Sequence, residues 1–74
     1  MASTVGLSIR EAREEKGWTQ TDLAERAHVS RLTVSYWENG HRTPRAKRLQ
    51  RLARLLDRTV AWSGSELVLA REAA

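Results

Sequence analysis

Only three residues, His28, Val29 and Ser30, separate two stretches that each read as a short helix, and this spacing constrains the chain more than any other feature. Thr19 is followed three residues later by Asp22, so hydroxyl and carboxylate can satisfy the free amides at the start of a helix over 20–27. Leu23, Ala24 and Ala27 form its inner face. Ser30 then precedes a helix over 31–39, in which Val34 and Trp37 share one side while Arg31, Thr33, Ser35 and Tyr36 are directed elsewhere. So short a turn makes the two helices cross steeply. The crossing requires a small residue where they touch, here Ala24, and apolar residues around it, here Leu23, Val29, Val34 and Trp37. The spacing predicts a helix-turn-helix, although an ordinary αα-corner makes the same demands.

Punctuation places the other elements. Val5, Ile9 and Ala12 step along one face of a first helix that Gly17 stops. Ser3, Thr4 and Ser8 can each cap it, and Ser8 with Glu11 has capping-box spacing. Thr43-Pro44 offers a cap and a first-turn proline to a fourth helix, with Leu49, Leu52, Ala53 and Leu56 as its core stripe and Lys47, Arg51, Arg54 and Arg58 on the other side. Beyond Asp57 the pattern changes: Thr59 to Trp62 fits a turn of helix or a strand, and Glu66 to Leu69, after Ser63-Gly64-Ser65, reads as a strand. The expected fold is all-α, a four- to five-helix bundle over residues 1–60, with a tail over 61–74 that carries a short strand.

A chain of 74 residues makes one small domain, which buries only about 60% of its unfolded surface, so help from a second subunit is expected. With no cysteine, disulfides and thiol chemistry are excluded. The longest apolar run, Leu67 to Ala70, falls far short of the ~20 residues that a membrane helix needs. Met1 to Arg10 lacks the pattern of a secretory signal, so a soluble, cytoplasmic protein is expected. His28 and His41 pair with no nucleophile or metal-ligand set, and no glycine-rich phosphate loop is present, so neither catalysis nor a cofactor is expected.

The charge is concentrated. Residues 41–58 hold seven basic side chains and one acidic, whereas the segments on either side are each net −1. Such a cluster suits a polyanion, or is a solvated arginine-rich helix face.

From Gly17 to Gly40 the chain reads Gly-Trp-Thr-Gln-Thr-Asp-Leu-Ala-Glu-Arg-Ala-His-Val-Ser-Arg-Leu-Thr-Val-Ser-Tyr-Trp-Glu-Asn-Gly, and Arg-Thr-Pro follows shortly after. This stretch resembles the Cro/C1-type (XRE) helix-turn-helix regulators, over about Ile9 to Val60 and at the family's spacing, which implies a lambda-repressor-like fold and a DNA-binding regulator of transcription. The resemblance implies that Arg31, Leu32, Thr33, Ser35 and Tyr36 approach base edges, with Arg31 suited to grip guanine O6 and N7. It also implies that Gln20, Ser30, Asn39, His41, Arg42, Thr43 and Arg45 hold the phosphate backbone. Arg13 and Glu38 match a structural ion pair of the family. His28 stands where the family usually has glycine, which implies a left-handed backbone there.

The tail from Trp62 to Arg71 loosely resembles the end of HipB-type antitoxins, in which a short strand pairs with its copy in a second subunit. A cognate toxin is then a further partner, beside double-stranded DNA and a second copy of the chain. A controller protein of a restriction-modification system or a phage regulator has the same first sixty residues, and an interaction module for an acidic protein is the remaining alternative. Val60, Trp62, Leu67, Val68 and Leu69 are left over once the helical core is assigned, and are the expected dimerisation residues. A lone strand over 66–69 lacks a partner within its chain. It either pairs across a two-fold axis, forms a hairpin with Thr59 to Trp62, or is replaced by a short fifth helix.

Overall fold

The computed structural model describes residues 4–71. Four helices, α1 (Thr4–Glu15), α2 (Gln20–Ala27), α3 (Arg31–Asn39) and α4 (Ala46–Leu55), are followed by an antiparallel hairpin of β1 (Thr59–Ser63) and β2 (Glu66–Ala70). The helical boundaries follow the punctuation closely at α2 and α3. Thr19 Oγ1 accepts from the Asp22 amide at 3.0 Å while the Asp22 carboxylate accepts from the Thr19 amide at 2.9 Å, a complete capping box. The Thr19 amide and then its hydroxyl hold the Asp22 pKa below the ordinary carboxylate value. Ser30 caps α3 through its hydroxyl on the Thr33 amide at 3.1 Å, and Gly17 and Gly40 take left-handed φ of 73° and 80° beyond α1 and α3.

His28 ends α2 with φ 58° and ψ 43°, the left-handed conformation expected at the tight turn. The imidazole is exposed, so the backbone conformation is its main constraint. His28→Gly is therefore expected to be neutral or stabilising and His28→Val to cost about 1 kcal/mol or more, measured by thermal melts of both variants.

Two starts differ from the sequence expectation. Ser8 does not cap α1; it lies inside the helix, where its hydroxyl donates to the Val5 carbonyl at 2.7 Å and accepts from the Leu69 amide of β2 at 3.1 Å. The Ser8 hydroxyl thus fastens β2 to α1 and takes no part in a capping box with Glu11. Ser3 falls outside the described residues. Nor does Thr43 cap α4, which begins only after Arg45, at Ala46, with no side-chain cap. Pro44 is buried, so it contributes packing ahead of the helix in place of a first turn.

The core is one cluster in which Val5, Ile9, Leu23, Val34 and Leu56 are fully covered, joined by Ala12, Ala24, Trp37, Leu49, Leu52 and Ala53. Val68 and Leu69 complete it. The strand over 66–69 thus has a partner in its own chain, contrary to one expectation: Trp62 faces Leu67 and Val60 faces Leu69 in the hairpin register. Its two-residue connection is Gly64-Ser65, with Gly64 at φ 63° in the first turn position, the order that a type II′ turn uses.

Gly6 lies on no apolar stripe in the sequence, yet it marks a close approach of α1 to the end of α3. A Cβ there would lie 2.5 Å from the Trp37 carbonyl oxygen and 2.7 Å from that of Glu38. Both are backbone atoms and cannot swing aside. Gly6→Ala is expected to destabilise by about 1–3 kcal/mol despite alanine's better helix propensity, as overpacking outweighs it; a denaturant midpoint at or above that of the parent would refute the close approach.

Candidate nucleic-acid interface

The outward side of α3 is opposite the side that Val34 and Trp37 bury. Arg31 and Leu32 are exposed on it, Leu32 to 52%, and Ser35 and Tyr36 are half-buried beside them. Thr33 departs from this group. Its hydroxyl lies 2.9 Å from that of Ser30, and its side chain lines a hollow with Val29, Trp37 and the loop between α3 and α4. A methyl or hydroxyl contact from Thr33 therefore belongs with the loop more than with Arg31.

The arginine at the start of α3 is tied to the interior by a chain of polar contacts. Arg13 grips the Glu38 carboxylate with Nε at 2.7 Å and Nη2 at 3.0 Å, and donates Nη1 to the Trp18 carbonyl at 2.8 Å. Glu38 is only 3% exposed, and it holds the Arg13 pKa above its ordinary value against the opposing effect of burial. Gln20 donates Nε2 to the same carboxylate at 3.2 Å, and its Oε1 faces Arg31 Nη1 at 3.5 Å. Gln20 therefore has two places in the fold: its backbone opens α2, and its side chain bridges the Glu38 carboxylate and the Arg31 guanidinium.

Beyond α3 the chain supplies a positive rim. The Arg42 guanidinium lies 5.4 Å over the Tyr36 ring, and His41 meets the same ring edge-on at 5.9 Å. Asn39 donates to Ser35 Oγ at 3.2 Å, so the polar side of α3 is braced along its length. Because α4 has no side-chain cap, its first amides remain available beside Arg42, Thr43 and Arg45, all of them exposed. Uncapped amides and three such side chains form a place for a phosphate oxygen. The structure thus brings Arg31, Leu32, Ser35 and Tyr36 to one helix face and His41, Arg42, Thr43 and Arg45 to its flank.

The basic segment is not all available for this purpose. Arg58 leaves the α4 side and pairs with Glu15, which also takes Arg71, while Asp57, at φ 55°, pairs with Lys16. These pairs tie the exit of α4 to the end of α1. Of the aromatic residues, Trp37 is core and Trp18 packs against it beneath the Arg26 guanidinium at 4.2 Å. Trp62 is 71% exposed.

The five residues expected at a dimer interface divide. Val68 and Leu69 are 8% and 5% exposed and belong to the protomer's own core, whereas Val60 and Leu67 are half-buried on the same strand face as the exposed Trp62. Among the described residues, no helix is long and apolar enough to cross a membrane.

Comparison with known proteins agrees with this geometry. The family model described as Helix-turn-helix matches residues 9–63, all of α2, α3 and α4 together with β1. The HTH-type transcriptional regulator DicA of Escherichia coli (strain K12) is 36% identical over 59 residues, covering 80% of this chain and 44% of DicA; the chain matches less than half of that relative's length. The crystal structure of SinR, a master regulator for biofilm formation, in complex with DNA superposes with a TM-score of 0.68 at 32% identity, covering 74% of this chain and 92% of that one. The restriction-modification controller protein C.AhdI from Aeromonas hydrophila gives a TM-score of 0.66 at 34% identity, over 72% of this chain and 80% of that one. The family match runs through the capped turn and the braced third helix, and the chain belongs to the XRE-type helix-turn-helix family.

Proposed function

We propose that the chain is a sequence-specific double-stranded DNA-binding regulator of the repressor type, which binds a pseudo-palindromic operator as a homodimer. The observation that carries this reading is the exposed face of α3, where Arg31 is held by Gln20 between the start of α2 and the uncapped start of α4. Arg31 reads a base, and Arg42 and Arg45 anchor the backbone. A single recognition helix covers only a few base pairs, and members of this class gain affinity by placing two such helices ~34 Å apart. Trp62, exposed at the turn end of the hairpin and paired with the half-buried Leu67, offers an apolar surface for joining the copies.

Selection of bound sequences from a random DNA pool is expected to enrich a palindrome. On that site Arg31→Ala should cost about 1–3 kcal/mol and relax preference at one base pair in each half. Arg42→Ala should weaken cognate and random DNA alike and lower the salt slope by about one. Equal losses on both DNAs for Arg31→Ala would remove it from the base-reading role.

A further inference from the structure

The sequence shows no ligand pocket, yet α2 and α4 enclose a groove of about 540 Å³ that the DNA-reading residues do not use. Ala27 of α2 and Leu52 and Leu55 of α4 line it with hydrocarbon. Its basic lining comes from both helices: Arg26 on one side, Arg48, Arg51 and Arg54 on the other, with no carboxylate among the lining residues. Arg26 is seated on Trp18, and Arg48 lies 6.0 Å from the Trp37 ring. The guanidiniums of Arg51 and Arg54 make no ion pair or hydrogen bond with another described residue. Their charge is therefore unmatched within the described chain.

A surface that only meets DNA phosphates needs cations and amides, and gains nothing from an aliphatic lining. A surface that only packs against protein does not collect four guanidiniums. Hydrocarbon beside several unpaired cations suits a ligand with an apolar body and an anionic head. The space lies within the range of small-molecule sites, roughly 300–1,000 Å³. From Arg48 to Leu55 the groove runs about 10 Å along α4, the length of a medium acyl chain or a two-ring system. We propose that this groove binds a small amphipathic organic anion, an acyl or aromatic carboxylate, whose head is held by Arg51 and Arg54 and whose body lies on Ala27, Leu52 and Leu55.

Such a ligand would be felt at the DNA interface through Arg48. That residue lines both this groove and the adjoining hollow formed with Thr33, Arg42 and Arg45. Drawing its guanidinium towards a carboxylate takes positive charge from the phosphate-anchoring flank, so occupancy should weaken DNA binding.

Decanoate, kept below its micellar concentration, is the probe, with decanol and inorganic phosphate as controls, followed by amide chemical shifts of the full chain. Saturable shifts at Ala27, His28, Arg51 and Leu55 are expected with decanoate, and neither control should reproduce them at equal concentration. Arg51→Glu with Arg54→Glu changes two exposed side chains, and its unperturbed amide spectrum will report an intact fold. In that variant decanoate affinity should fall roughly tenfold or more, since two charge-assisted contacts become repulsive. Saturating decanoate should also lower affinity for the selected operator in the parent but not in the variant. The proposal fails if phosphate alone gives the same shifts, if decanol binds as well as decanoate, if the shifts fall on Val60, Trp62 and Leu67, or if the double variant binds undiminished.

Discussion

Arg13→Ala is expected to cost the fold about 3–5 kcal/mol, because it leaves the Glu38 carboxylate buried without its counter-ion. The total stability of a chain this size is about 4–11 kcal/mol, so the loss is a large share of it and should lower the melting temperature by tens of degrees. The effect exceeds that of an ordinary ion pair for a structural reason. Glu38 is 3% exposed and the Arg13 side chain 11%, so water cannot substitute for the lost partner. Gln20 supplies one remaining hydrogen bond to the carboxylate, which is too little for a full charge. Replacing both residues with apolar side chains of similar volume, Arg13→Met with Glu38→Leu, should recover most of the loss, as the desolvation cost disappears with the charge. Thermal melts of the single and double variants measure this. A single variant that melts within a few degrees of the parent would mean that the carboxylate finds solvent in solution.

The same pair carries a consequence for recognition. If Gln20 is held by Glu38 in order to hold Arg31, the double apolar variant should fold well yet discriminate its operator less sharply. Stability and specificity then separate in one molecule.

How much of this was legible in the sequence depends on whether one residue type admits one reading. Thr19 with Asp22, Ser30, Gly17 and Gly40 each serve a backbone need that few residues meet, and α2 and α3 lie where those residues put them. His28 was legible only through the resemblance, which puts a glycine at this turn, and its φ of 58° agrees with that. The Arg13–Glu38 pair was reached only through resemblance, because nothing local links positions so far apart in the chain. Ser8 and Thr43 misled. A hydroxyl that fits a cap also fits other hydrogen bonds, as Ser8 does with the Leu69 amide of β2, while α4 begins past the buried Pro44 and two residues beyond the place that Thr43 would cap.

Gly6 went unread although a glycine inside a helical stripe is itself a signal of close backbone approach. The hairpin of Thr59 to Trp62 against the 66–69 strand was one of three readings of the tail, and it is the one that forms. Gly64-Ser65 between two apolar runs is a two-residue turn signal, but Leu67-Val68-Leu69 does not alternate, so the strand looked like an edge awaiting a second copy. It fails to alternate because Val68 and Leu69 point to opposite faces of β2 and both are covered. The face of α3 was legible in outline, but the diversion of Thr33 towards the loop depends on Ser30 and on the course of the chain after Gly40.

Truncation after Ser65 is expected to unfold the helices, not merely to remove the expected dimerisation residues Leu67, Val68 and Leu69. It removes Val68 and Leu69 from the core, about 1.5–3 kcal/mol each and hence about 3–6 kcal/mol together. It also strips the hydrogen bond between the Leu69 amide and Ser8, and leaves the ladder groups of β1 unpaired. At roughly 4–8 °C per kcal/mol for a domain of this size, the melting temperature should fall by tens of degrees. Dimerisation must therefore be probed at the exposed end of the hairpin. Trp62→Ser with Leu67→Ser leaves Val68, Leu69 and the backbone ladder in place, so the helical signal should persist while sedimentation moves to monomer and operator affinity falls steeply. A truncated chain that melts cooperatively near the parent temperature would show that β2 is peripheral to the core. A serine double variant that sediments as the parent does would move the dimer contact away from Trp62 and Leu67, leaving the half-buried Val60 and the exposed Leu7 of α1 as the next apolar surface to test.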